Sequence, residues 1–322
     1  MARRKKGNPV HGWINLHKPV GITSSKAVAI VKRAYGAQKA GHAGTLDPLA
    51  DGILPIALGE ATKTVPFIQD AFKVYEFVVT WGEQRTTDDA EGEVVQTSDI
   101  RPTRAQIEAA LPAFIGEVQQ IPPIYSAIKI DGQRAYDLAR FGANPELIEM
   151  PERTVIIESL DLIEADEHSA RLVCTCGKGT YIRSIARDLA LACGTFGYVG
   201  RLTRLQVGGF SVDDAISLDI FGENAHSAAL GEALLPVEAV LDDIPALPLT
   251  EDEAFRLRNG QALRFVSRHD VNRLIDIGLE PHPNDDVYDA LAIHADDGTP
   301  IGLVAVNGVN IKPERLFNFS NQ

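Results

Sequence analysis

Between the apolar face of one helix (Ala27, Val28, Ile30, Val31, Ala34) and an apolar strand over 53–58, the residues AQKAGHAGTLDPLADG (37–52) lose every hydrophobic period. A polar segment of this length between two rigid supports is uncommon in a compact domain, and it is where function concentrates. The chain must therefore fold so as to hold a long polar loop still. Inside it, Asp47 is flanked by Leu46 and by Pro48-Leu49-Ala50. The proline ring fixes the backbone, the apolar neighbours seat it, and Gly41 and Gly44 allow close approach. A carboxylate presented in this way suits a nucleophile or an acid–base group. The same residues read equally as a plain Asp-Pro turn.

The flanking sequence supplies the supports. Trp13 to Leu16 is a short strand, Lys18-Pro19-Val20-Gly21 a turn, and Thr23-Ser24-Ser25 offers N-caps to the helix that Gly36 ends. Downstream the patterning predicts a helix over 61–72, an alternating strand over 73–81, a turn around 86–92, and a helix running from a Thr103/Gln106 capping box through Phe114. A Pro-Pro bend and a hairpin at Asp131-Gly132 make 119–153 a protruding thumb. Paired strands over 155–163 and 170–176 follow, then a helix over 181–193 capped by Thr180 and a strand over 202–207. Helices and hairpins interleave without a βαβ repeat, which gives an α+β fold with a mixed, largely antiparallel sheet and flanking helices. After about Leu241 short strands (290–293, 301–306), turns and more acid mark a small β-rich module. The expected organisation is a basic arm over 1–10, a main domain over 11–241 and the module over 242–322.

The net charge of −13 speaks against a polyanionic partner, but the average hides a gradient. Residues 1–65 hold ten Lys and Arg against three Asp and Glu; 66–240 hold fourteen against twenty-seven, and 241–322 seven against fourteen. Within the acidic middle, between His168 and Phe210, Arg171, Lys178, Arg183, Arg187, Arg201 and Arg204 stand against Asp188 alone. Two basic stretches on an acidic body can form one electropositive face; scattered solvated charge is the alternative. No apolar run of about 18 residues and no signal-type segment occurs, so neither membrane association nor export is expected and the location expected is cytoplasmic. Cys174, Cys176 and Cys193 are too few for a disulfide framework and poorly spaced for zinc, and read as buried thiols. Neither of the glycine-rich phosphate-binding motifs is present.

Six strings in order carry a resemblance: N-L-H-K-P-V-G-I-T-S at 15–24, H-A-G-T-L-D-P at 42–48 continuing to Gly52, K-V-Y at 73–75, P-P-I-Y-S-A-I-K at 122–129, K-G-T-Y-I-R at 178–183, and R-L-x-R-L at 201–205. Together they resemble the TruB family of pseudouridine synthases, firmly over 11–215 and loosely beyond. The resemblance implies the pseudouridine synthase fold with a C-terminal PUA-like RNA-binding domain. It also implies a cofactor-free isomerisation of uridine to pseudouridine at position 55 in the T-loop of tRNA. The target base is flipped out, an aspartate attacks, the glycosidic bond breaks, and C5 re-bonds to C1′.

By the same resemblance Asp47 is the nucleophile, and Tyr75 stacks on the target base, with proton relay as a second role. Arg183 pairs with and orients Asp47. Tyr181 and Leu202 line the uracil pocket, His42 occupies space left by flipped nucleotides, and Lys18 with Pro19 is mainly structural, shaping the floor of the site, though Lys18 is also counted with the substrate-binding residues. Lys129, Arg134 and Arg140 on the thumb, with Arg187 and Arg204, are expected phosphate contacts. Read without the family, Tyr75, Tyr181 and Leu202 are ordinary core residues and Arg183 a phosphate contact. Gly200-Arg201 before Leu202 departs from the larger apolar neighbour the family leads one to expect. The implied partner is the tRNA T-arm stem-loop, with no metal and no obligate protein partner. The rival readings are a non-catalytic tRNA chaperone on the same fold and a guide-RNA-dependent synthase within a ribonucleoprotein.

Overall fold

The computed structural model describes residues 7–126, 128–130, 132–141, 149–222, 227–280 and 286–319, without the side chains of Arg134, Arg140, Phe141 and Ser227. In chain order the elements begin β1 (Gly12–Lys18), α1 (Ser24–Ala34), β2 (Ala40–His42), β3 (Asp51–Leu58), α2 (Val65–Asp70), β4 (Lys73–Trp81), β5 (Glu83–Arg85), β6 (Val94–Thr97), α3 (Arg104–Ala110) and β7 (Gly116–Gln120). They continue as β8 (Lys129–Ile130), β9 (Gln133–Arg134), α4 (Ala135–Phe141), β10 (Arg153–Ala165), β11 (Ser169–Cys176), α5 (Ile182–Ala192), β12 (Gly197–Val207), β13 (Phe210–Ser211) and β14 (Ile216–Ser217). The remainder is α6 (Ser227–Ala233), β15 (Ala246–Leu249), α7 (Glu251–Arg258), β16 (Leu263–Arg264), α8 (Arg268–Asp276), β17 (Val287–His294), β18 (Pro300–Asn307) and β19 (Asn310–Leu316).

The large sheet runs β14-β1-β3-β12-β4-β11-β10-β7, with β2 beside β3 and β13 beside β12. Its pairs are antiparallel except β1/β14 and β3/β12, so the mixed, largely antiparallel sheet read from the sequence is the one formed. Period-two patterning sets the faces: Ala170, Leu172, Cys174 and Cys176 of β11 and Phe77, Val79 and Trp81 of β4 are all buried. Helix α5 answers at period 3.6 with buried Ile182, Ile185, Ala186, Leu189 and Ala190, and joins them in one core. Each of the larger aliphatic side chains buried there contributes about 1.5–3 kcal/mol.

Pro55 stands in the middle of β3, where a central strand normally excludes proline. The register explains it: β12 pairs with β3 only at Asp51 and Gly52, and β2 only at 56–58, so Pro55 falls in the gap between two partners. Arg204 fills that gap, its Nε donating to the Ile53 carbonyl at 2.7 Å, and Ala43 N donates to the Pro55 carbonyl at 3.0 Å. The polar loop of the sequence leaves and re-enters the sheet at this gap.

Four local expectations are corrected. The stretch 37–52 is not loop throughout, since β2 pairs with β3 and β3 starts at Asp51. The helix expected over 61–72 splits into a 3-10 segment, Gly59–Lys63, and α2, because Pro66 removes an N–H and crowds the preceding turn. The Thr103/Gln106 capping box is formed, but α3 ends at Ala110 and Leu111–Phe114 tightens into a 3-10 turn at Pro112. Thr180 does not cap α5: its hydroxyl donates to the Gly177 carbonyl at 3.1 Å, and Tyr181 holds the cap position without a side-chain bond.

The C-terminal residues form a second sheet, β15-β17-β18-β19-β16, over a core of its own. It meets the large sheet through a shared apolar cluster in which Trp13, Ile53 and Phe210 pack with Leu291, Leu303 and Phe317. Arg315 Nη1 donates to the Lys63 carbonyl at 2.8 Å across the same junction. Cys174 and Cys176 are buried free thiols and Cys193 is half-buried. Among the described residues no helix is long and apolar enough to cross a membrane.

Candidate active site

The loop 43–50 is tied down at both flanks of Asp47. Ser24, in the first turn of α1, donates its hydroxyl to the Leu46 carbonyl at 2.9 Å and accepts from Leu46 N at 2.8 Å. Gly21 N donates to the Pro48 carbonyl at 2.8 Å. Leu46 and Ala50 are buried on either side, and Arg204 Nη2 donates to the Gly44 carbonyl at 3.0 Å. Gly52 (φ +102°) lies against β12 so closely that a Cβ would stand 2.2 Å from the Arg204 carbonyl oxygen, which restricts the loop exit to glycine. The plain Asp-Pro turn thus becomes a rigid mount.

Asp47 faces Arg183, at the start of α5. Arg183 Nη2 is 3.0 Å from Asp47 Oδ2, with side-chain exposures of 6% and 36%, so the cation is internal and the carboxylate reaches solvent. Three further groups fix the guanidinium: Asp89 Oδ2 at 3.4 Å, the Thr87 carbonyl at 2.9 Å and the Tyr125 carbonyl at 3.1 Å. Asp89 is itself held by the Thr87 hydroxyl and by Glu91 N at 3.0 Å. A planar fork with four acceptors is pre-organised in a way a lysine could not be. Asp89 was not singled out from the sequence; the turn expected around 86–92 marked its place but not its role.

A cleft of about 440 Å³ opens over this pair, lined among others by Leu46, Asp47, Tyr75, Tyr181, Leu202 and Arg204. Tyr75 and Arg204 are direct cross-strand partners, as are Phe77 and Leu202, so all four share one face of the sheet. Burial pushes the Tyr75 phenol up, with Arg204 opposing, so it stays neutral and offers a ring face and a hydroxyl rather than a phenolate. Lys73, two residues earlier on that face, donates to the Gln69 and Ala71 carbonyls and is pushed down to about 8 by burial and by Arg204. Gln120 clamps Tyr181, accepting from its N–H at 2.8 Å and donating to its carbonyl at 3.1 Å. Gly200 is the bulged residue of β12 where a Cβ would meet Thr80 Oγ1 at 2.5 Å. That contact accounts for the small residue where a larger one was expected.

The structure brings Asp47, Tyr75, Arg183, Tyr181 and Leu202 together at this cleft and leaves two expected substrate contacts outside it. Lys18 is fully buried, donating to the Pro19 and Ile22 carbonyls at 2.8 and 3.0 Å, and braces the turn before α1; it does not line the cleft, so its substrate-binding assignment is corrected to a structural one. His42 ends β2 beside the cleft, its imidazole pushed down by burial and by Arg204.

Two expected phosphate contacts are also corrected. Arg204 is 1% exposed and consumed by the Ile53 and Gly44 carbonyls. Arg187 binds Asp88 Oδ2 at 3.0 Å, Asp188 Oδ1 at 2.8 Å and the Ile121 carbonyl at 2.8 Å. Sequence shows that arginines cluster and not which of them face inward. Lys129 is exposed on β8, whereas the side chains of Arg134 and Arg140 lie outside the described residues. Lys178, unassigned from the sequence, is 69% exposed at the cleft rim and pairs with Asp70 at 2.9 Å.

The family model described as TruB family pseudouridylate synthase (N terminal domain) matches residues 32–182. The chain is 51% identical to tRNA pseudouridine synthase B of Caulobacter vibrioides over 321 residues, covering 99% of this chain and 100% of the relative. It is 48% identical to the protein of the same name from Bradyrhizobium diazoefficiens over 332 residues, covering 99% and 91%. Among solved structures, a chain of a Cbf5-Nop10-Gar1 complex superposes with a TM-score of 0.68 at 23% identity, covering 95% of this chain and 85% of that one, which shows a shared pseudouridine synthase fold. Near-complete coverage at half identity, on a sheet that gathers the matched motifs around one carboxylate, leaves one conclusion: the chain belongs to the TruB family of pseudouridylate synthases.

Proposed function

We propose that this chain isomerises a uridine of tRNA to pseudouridine, and that the target is the uridine at position 55 in the T-loop. The observation that carries the reading is Asp47: solvent-facing, rigidly mounted and held by an internal arginine at a cleft with an aromatic wall. The other carboxylate lining the cleft, Asp70, is 62% exposed on the rim and paired with Lys178, so Asp47 is the one prepared for chemistry.

The reaction exchanges the N1–C1′ bond for a C5–C1′ bond. The C5 proton leaves and N1 gains one, so atoms and electrons balance without a cofactor. Asp47 is the nucleophile and Arg183 keeps its free oxygen turned to the substrate. A uridine in a folded loop must leave its stack to arrive here, and stacking on an aromatic face returns about 1–3 kcal/mol per base; Tyr75 supplies that face. Tyr181 and Leu202 close the uracil edge. Lys129 and Lys178 meet phosphates, and His42 stands where the reorganised RNA loop passes. The residues from 242 onward form a PUA-like module whose acidic balance permits only a few local contacts to RNA. The enzyme acts alone in the cytoplasm, without guide RNA or obligate protein partner.

Incubating purified protein with unmodified tRNA transcript and mapping pseudouridine chemically tests this reading. Modification at position 55 alone is expected. Modification elsewhere, or dependence on an added guide RNA, would contradict it.

A further inference from the structure

Ser126 follows the residue whose carbonyl steadies Arg183. Its backbone is fixed on both sides, Ser126 N donating to the Ile124 carbonyl at 3.0 Å and Tyr136 N donating to the Ser126 carbonyl at 3.1 Å. The residue is 5% exposed, lines the cleft, and its Oγ has no hydrogen-bond partner among the described residues. Buried hydroxyls are nearly always bonded, so an orphan at the wall of a binding cleft marks a group waiting for a ligand atom.

Its position narrows which atom. The aromatic and aliphatic walls, Tyr75, Tyr181 and Leu202, suit the flat uracil. Asp47 must address the glycosidic end of the nucleoside, and Arg183 Nη2, 3.0 Å from that carboxylate, also donates to the Tyr125 carbonyl at 3.1 Å. Ser126 therefore follows directly the residue whose carbonyl holds the clamp on the carboxylate, which assigns it to the sugar end of the nucleoside. The nearest polar substituent to C1′ on the sugar is the 2′-hydroxyl, which both donates and accepts and so matches a serine hydroxyl in either sense. It is also the group by which a protein tells RNA from DNA.

We propose that Ser126 Oγ hydrogen-bonds the ribose 2′-hydroxyl of the flipped nucleoside and so restricts the enzyme to a ribonucleotide target. The proposal rests on the function read above and adds the sugar-recognition group to that site.

The test compares wild type, Ser126→Ala and Ser126→Thr on a T-arm stem-loop that is ribose throughout and on the same stem-loop with 2′-deoxyuridine at the target alone, reading single-turnover rate and Kd. One neutral hydrogen bond corresponds to roughly a 3- to 10-fold loss. Ser126→Ala is expected to lose that factor in rate over Kd on the ribose substrate and to match wild type within about twofold on the deoxy substrate. Ser126→Thr, which keeps the hydroxyl, is expected to restore most of the loss. Because the hydroxyl has no partner among the described residues, Ser126→Ala should melt at or above the wild-type temperature. No loss on the ribose substrate, or an equal loss on both, would overturn the proposal. Should the deoxy substrate not turn over, the Kd values distinguish the same outcomes. If wild type forms no pseudouridine on the ribose stem-loop, the functional reading has failed, and the Kd difference still decides whether Ser126 contacts the sugar.

Discussion

Arg183 Nη2 stands 3.0 Å from Asp47 Oδ2, and the arginine that makes this contact is internal while the aspartate is not. The same guanidinium holds Asp89, which is 4% exposed. Removing the cation leaves that carboxylate buried without its counter-charge, a loss of about 3–5 kcal/mol. Arg183→Met is therefore expected to lower stability by that order and to abolish turnover. Arg183→Lys keeps the charge but cannot serve four acceptors, so kcat should fall at least 100-fold with tRNA affinity within a few fold of wild type. Urea unfolding and single-turnover assays check both; an Arg183→Lys enzyme of near-normal rate would show that orientation is not what the arginine provides.

Ser24 makes two hydrogen bonds to Leu46, the residue before Asp47. Ser24→Ala strands a buried N–H and a buried carbonyl at a cost of about 1–3 kcal/mol. Because those groups position the nucleophile, kcat should drop about tenfold or more while Kd for tRNA stays put. A variant that loses stability but no rate would separate the loop mount from the chemistry.

How far the sequence goes is clear from these residues. Periodicity predicted the sheet strands and α1 because half-buried elements write their faces into residue spacing, and the motif at 42–48 pointed to Asp47. Ser24 was read as one of several possible N-caps; Thr23 takes that role, accepting from Lys26 N, and Ser24 turns instead to a loop 22 residues away. Asp89, Ser126 and the inward course of Arg187 and Arg204 were likewise out of reach. Each depends on which segments tertiary packing brings together, and local spacing carries no record of that.

Asp88, next to Asp89 in the same turn, takes a left-handed conformation (φ +58°), and burial pushes its carboxyl up to about 6 despite Arg187 and Arg183. With a folded pKa above the unfolded value of 3.8, the folded state binds the proton more tightly, so the stability from this group falls as pH rises through the window from about 4 to 6. Asp88→Asn tolerates the left-handed backbone and cannot titrate. Relative to the variant, wild type should gain on the order of 1 kcal/mol between pH 7.5 and pH 5. Denaturant melts at the two pH values measure this, and a difference that does not move with pH would refute the assignment.

Phosphate contacts should follow exposure. Raising salt from about 50 to 200 mM should weaken tRNA binding markedly. Lys178→Ala should reduce the slope of log K against log salt by about one, as expected for one lost phosphate contact. Arg187→Met, which removes an arginine bound to Asp88 and Asp188, should leave that slope unchanged. The reverse pattern would restore Arg187 to the RNA-facing surface.

Asp47 is the residue on which the proposed chemistry turns. Asp47→Asn keeps the size of the side chain and its place at a partly exposed position, so the protein should fold as wild type and bind a T-arm stem-loop with Kd within about threefold. Single-turnover pseudouridine mapping on that bound stem-loop decides the matter. Product formation lowered by a factor of at least about 1,000 is the predicted result; a rate within tenfold of wild type would contradict it.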